Sequence, residues 1–185
     1  TLLLQMKKLQ DLSDLTEAFI TADKDYNYQP QLTAKLDNNS GDFSEMTLLE
    51  IALWKINRYP TITQDLLDDI NYLRKSYSDK KARNLLRKLL DLKGFDLPMA
   101  STVLRFAVPD KLQIIDQRVY RFITPNEDCL NIPYNKDQKV ELYFSYIERL
   151  NSICNDYDIP FSKADRILYQ LDKILNKDIR LKKIG

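Results

Sequence analysis

Apolar residues recur every three or four positions through most of this chain, and the polar residues between them mark where each run begins and ends. Leu3, Met6, Leu9, Leu12 and Leu15, then Ala18 and Phe19, predict one or two helical segments over 2–20, with a break near Ser13 or Asp14. From Tyr26 to Asp42 the chain turns polar and gathers Pro, Asn, Ser and Gly, which predicts a long loop. Ser44 then opens a helix that carries Leu48, Ile51, Trp54, Lys55 and Arg58 and stops at Pro60. Thr63 caps the next helix, from Gln64 to about Lys75. Ser78 or Asp79 caps another, which ends at Gly94. A partner helix follows from about Pro98 to Ala107, and Asp116 starts the short run QRVYRFI. A polar loop runs from Pro125 to Asn135. A long amphipathic helix over Lys136–Asn155 aligns Val140, Tyr143, Ile147, Leu150 and Cys154. The last helix, about Ser162–Asn176, sets Ile167, Leu168, Leu171 and Leu175 together. No repeat and no internal linker interrupts the order, so 1–185 reads as a single helical domain with its most distinctive segment at 79–124.

That segment combines a tight turn with a carboxylate. Gly94 ends one helix where a second must start within a few residues, and glycine turns there without a Cβ penalty. Pro98 suits the first turn of the second helix, where its missing N–H costs nothing. Ala100 is small enough to let the two helices approach. Free N–H groups at such a helix start favour an anion such as phosphate. Between Asp79 and Lys93 stand six basic residues, Arg87 and Lys88 among them, against two acidic ones. The same pattern also makes an ordinary helical hairpin with a solvated basic face.

Composition narrows the chemistry. The chain has 185 residues, enough for a sizeable core, and only three glycines, which favours helices over a turn-rich β fold. Its net charge of +1 advertises no nucleic acid, so only local patches argue for one. It has no histidine, which excludes imidazole bases, imidazole metal ligands and Ser–His or Cys–His nucleophile pairs. Two cysteines, Cys129 and Cys154, do not make a four-ligand metal site and read as reduced thiols; no metal or cofactor is expected. Leu2-Leu3-Leu4 is too short for a signal core or a membrane span, and the chain reads as cytoplasmic and free of membranes.

The stretch from Leu89 to Arg121 resembles the helix-hairpin-helix DNA glycosylases, the HhH-GPD superfamily. Leu92, Gly94 and Ala100 take the hairpin positions, Asp116 follows Ile114-Ile115, and Arg118, Val119 and Arg121 fit the helix after the family aspartate. The resemblance implies an all-α, two-lobed helical bundle and a monomer that binds double-stranded DNA. It implies hydrolysis of the N-glycosidic bond of a damaged or mispaired base, with Asp116 as the catalytic carboxylate. Lys93, Gly94, Phe95, Leu97, Arg87, Lys88 and Arg118 are then the DNA-binding residues. Trp54 and Tyr120 are candidate walls of the base pocket, alongside Tyr59, Tyr143, Tyr146, Tyr157 and Tyr169.

Two departures shape the expectation. Asp96 replaces the second hairpin glycine, and an anion there opposes a phosphate unless it caps the second helix. Pro98 stands where bifunctional members carry a Schiff-base lysine, so the resemblance implies a monofunctional enzyme without lyase activity. The chemistry itself is plain. A carboxylate beside the sugar steadies an oxocarbenium-like transition state and orients water, after the base has left the stack. Asp116 would equally serve as a helix N-cap, a role worth about 1 kcal/mol, and the two roles are compatible. The alternatives are a non-catalytic helix-hairpin-helix module that binds DNA or protein, and an all-α adaptor.

Overall fold

The computed structural model describes residues 25–56, 60–124 and 129–181. The helical segments expected over 2–20, together with Arg58, Tyr59 and the start of the polar loop at Pro125, lie outside the described residues. The described residues form eight α-helices and no strand. None of these helices is long and apolar enough to cross a membrane. The chain divides into two compact units, Thr1–Tyr59 and Pro60–Gly185.

The first unit contains α1 (Pro30–Asp37) and α2 (Glu45–Lys55). Helix α1 lies inside the stretch expected to be a loop. Its polar composition conceals Leu32 and Leu36, four apart, and a proline at the helix start; Leu32 is almost fully buried. Helix α2 begins as expected at Ser44, whose hydroxyl accepts the Thr47 N–H while Thr47 Oγ1 accepts the Ser44 N–H. Trp54 is anchored within this unit. Its indole N–H donates to Thr33 Oγ1 at 2.8 Å, and the Tyr28 ring meets it edge-on at 5.0 Å.

The second unit contains α3 (Gln64–Lys75), α4 (Asp79–Leu90), α5 (Leu97–Ala107), α6 (Gln117–Ile123), α7 (Lys136–Asp156) and α8 (Ala164–Leu175), the last preceded by a 3-10 turn at Phe161–Lys163. Thr63, Ser78, Asp96, Asp116 and Asn135 cap α3 to α7 through side-chain oxygens, so the polar starts legible in the sequence are the real ones. One core runs through the unit, from Leu66 and Leu73 through Leu86, Leu97, Leu104 and Val119 to Tyr143, Leu150 and Leu168. Helix α7 buries Val140, Tyr143, Leu150 and Cys154 as its stripe predicts, and adds Phe144 and Tyr146. Helix α8 turns a different face inward from the one expected. It buries Ala164, Asp165, Leu168 and Asp172, while Leu171 and Leu175 are exposed. Two aspartates enter this face because arginines on α5 and α6 meet them there.

Candidate functional site

Helices α4 and α5 form the hairpin. Gly94 has φ 79, the left-handed conformation expected of it, and Phe95 N–H returns to Leu92 O at 3.0 Å. Ala100 is fully buried. The front of α5 is not an open cluster of N–H groups. Asp96 caps it: Oδ1 accepts the Leu97 N–H at 2.7 Å and also the Lys139 ammonium at 2.6 Å. The hairpin carboxylate therefore sits at the positive end of its own helix, neutralised from α7.

Two of the basic residues expected to grip DNA, Arg87 and Lys88, are engaged with carboxylates on neighbouring elements. Arg87 pairs with Asp137 at 2.9 Å, and Lys88 with Asp69. Arg83 likewise meets Glu141, and Lys136 meets Asp91. Such exposed pairs contribute about 0–1 kcal/mol each, so a phosphate could exchange with them. Lys93 and Gly94 are exposed and Phe95 is half-buried. Leu97 is fully buried in the core, so its side chain cannot touch a nucleic acid.

The segment between α5 and α6 is clamped from two sides before it reaches Asp116. Tyr143 and Tyr146 on α7 donate to the carbonyls of Gln113 and Ile114 at 3.0 and 2.8 Å. Burial, and then neighbouring acidic groups, push both phenols well above their ordinary range, so they remain hydrogen-bond donors. From the other side, Ser101 Oγ on α5 accepts the Ile115 N–H at 3.2 Å while donating to Pro98 O at 2.8 Å. Leu112 and Ile115 are fully buried and fix the register of the segment. The hairpin helix is thus joined to the Asp116 segment through one hydroxyl.

Asp116 is the N-cap of α6, and its Oδ1 accepts the Arg118 N–H at 2.7 Å. It is half-buried and lines an open groove of about 410 Å³ together with Ile114, Val119, Asp165, Arg166, Tyr169 and Gln170. Cap and groove position coincide in one residue. The groove is built by the Asp116 segment, α6 and α8, and no hairpin residue stands among those lining it.

The remaining expected residues have defined places. Tyr120 is buried, and its ring stacks on Tyr146 at 6.4 Å. The aromatic wall of the groove is Tyr169 instead. Trp54 belongs to the first unit. Arg118 is partly exposed; its guanidinium lies 3.1 Å from Asp172 and 5.9 Å from the centre of the Tyr169 ring. Arg121 makes a two-pronged contact with the same carboxylate, both bonds 2.8 Å.

Sequence reasoning missed Asp165 and Asp172. Both lie on α8 among apolar neighbours, where the leucines dominate the pattern. The available signal was Arg118 and Arg121, three apart on α6, and Arg105 on the apolar helix α5, each needing an anion once buried. Cys129 and Cys154 are both free thiols. Compared with family models, with curated proteins and with solved structures, the chain has no match.

Proposed function

We propose that this chain is a monofunctional DNA N-glycosylase of the helix-hairpin-helix kind, acting as a monomer on double-stranded DNA in the cytoplasm. It hydrolyses the bond between a damaged or mispaired base and its sugar. The observation that carries the reading is the position of Asp116: a helix-capping carboxylate on a doubly clamped segment, lining a groove beside the Tyr169 ring. As the glycosidic bond breaks, positive charge grows on the sugar. A fixed carboxylate stabilises that charge without reorganising, and water then adds at the same carbon while the base departs. The Tyr169 ring offers a face on which an extruded base stacks. Pro98 in the hairpin leaves no amine at the position of the lyase lysine, which favours simple hydrolysis.

A second reading, a hairpin module that binds without catalysis, is favoured by one specific observation. Asp96 occupies the start of α5, and Lys139 already neutralises it. Both readings face one test. Base release is measured on a panel of lesion-containing duplexes under single turnover, with duplex binding followed by fluorescence anisotropy. The enzyme reading expects Asp116→Asn to lose base release by a factor of about 100 or more with duplex affinity unchanged. Duplex binding by the unaltered protein with no base released from any duplex would replace it with the module reading.

A further inference from the structure

Helices α3 and α4 enclose a second groove, of about 420 Å³, that shares no lining residue with the one beside Asp116. Its charge is one-sided. Lys81, Arg87 and Lys88 from α4 line it against a single carboxylate, Asp69 from α3. Positions 81, 84 and 88 fall on one side of α4, so Lys81, Asn84 and Lys88 form a row about 10 Å long. Lys81 differs from the other two cations. Its ammonium donates to Ser76 O at 3.0 Å and to Ser76 Oγ at 3.2 Å, and it lies 3.9 Å from the centre of the Tyr72 ring. All of these partners are neutral. A long, flexible side chain is thus held across the α3–α4 turn, its charge matched by no carboxylate among the described residues. Arg87 gives Nε to Asp137 at 2.9 Å, and its terminal nitrogens remain as donors. Lys88 pairs with Asp69, but both side chains are exposed, and such a pair contributes about 0–1 kcal/mol. An incoming dianion exchanges with it readily. The Asn84 amide is exposed in the same row, and the Tyr72 ring is 58% exposed.

We infer that this groove is a seat for the phosphate monoester of a nucleotide, with Lys81 as its fixed cation. Three cations against one carboxylate leave a local excess that suits a dianionic phosphoryl group. Lys81 is already ordered by Ser76 and Tyr72, so little side-chain entropy is lost when the anion arrives. The exposed Tyr72 ring offers a surface on which a base stacks. The same chemistry comes from two sources, a free nucleotide or the 5′-phosphate end of a DNA strand. The seat needs neither Asp116 nor base release, so it stands apart from the enzyme reading.

The test uses the full chain and calorimetry at low salt, with deoxyadenosine 5′-monophosphate and deoxyadenosine as probes. The nucleotide is expected to bind about tenfold more tightly than the nucleoside. Lys81→Gln, which keeps the length of the side chain and removes its charge, is expected to lower nucleotide affinity about fivefold. Asp69→Asn removes the carboxylate that competes for Lys88 and is expected to raise it about threefold. No saturable binding of the nucleotide, equal affinity for the two probes, an unchanged affinity in Lys81→Gln, or no rise in Asp69→Asn would each overturn the inference. The wild-type ratio and the Asp69→Asn rise decide the matter even if Lys81→Gln unfolds. A single strand with and without a 5′-phosphate assigns the source. Tighter binding of the phosphorylated strand, displaced by the mononucleotide, supports a strand end; indifference to the strand's end, with the mononucleotide still bound, supports a free nucleotide. Base release from the duplex panel, read separately, keeps the two claims apart. Nucleotide binding without base release retains the seat and removes the enzyme; base release with no preference for the nucleotide does the reverse.

Discussion

Burial alone would raise the Asp172 carboxyl, but hydrogen bonds from Arg121, Asn176 and Arg118 outweigh it and hold the group below its ordinary range. This one fully buried side chain fastens α8 to α6, and through Arg118 it also steadies the helix that Asp116 caps. Replacing it with asparagine strands a buried guanidinium. Asp172→Asn is therefore expected to lose about 3 kcal/mol of stability, measured by urea denaturation near neutral pH. The pH dependence has a definite sign. The unfolded chain protonates Asp172 at about pH 3.9, above the folded value, so unfolding takes up protons in the interval between them. The stabilisation is complete above that unfolded value and is lost as pH falls through the folded one. The gap between wild type and Asp172→Asn should accordingly be constant from neutral pH down to about 5 and close as the acid limb is entered. A gap that widened toward acid would contradict the assignment.

Elements that begin with a local chemical signal were the legible ones. Ser44, Thr63, Ser78 and Asp116 each cap the helix their side chains announced, because a cap depends on three or four consecutive residues. Gly94 and Asp116 were legible for the same reason. Helix α1 was hidden because its apolar content is little more than Leu32 and Leu36, and Pro30 at its start and the Asn residues flanking it carry loop statistics. The buried face of α8 was hidden because ion pairs with Arg105, Arg118 and Arg121 draw Asp165 and Asp172 inward, a tertiary event with no local trace. The same limit applies to the hairpin. The sequence posed Asp96 as an anion at a phosphate position, and only the fold supplies Lys139 to balance it. That balance makes a prediction at the level of the hairpin. Asp96→Asn keeps a capping oxygen but removes the charge and releases the Lys139 ammonium. Duplex affinity is expected to rise, and the slope of log affinity against log salt to steepen by about one counterion. Unchanged affinity and slope would show that the start of α5 does not meet the phosphate backbone.

At the scale of the molecule, everything argued for the groove lies within one of the two compact units. The continuous buried cluster from Leu66 to Leu168 belongs to Pro60–Gly185, as do the hairpin, the tyrosine clamps and both groove carboxylates. A chain of that length buries about two-thirds of its unfolded surface, which is enough for independent folding. The single tryptophan, Trp54, lies in the other unit, held by Thr33 and Tyr28. The two units thus carry separate optical labels, indole fluorescence for the first and the buried tyrosines for the second. Residues 60–185 expressed alone are expected to unfold in one cooperative transition, read by tyrosine signals and far-ultraviolet dichroism together. A fragment that unfolds without cooperativity would mean that the first unit completes the fold of the second.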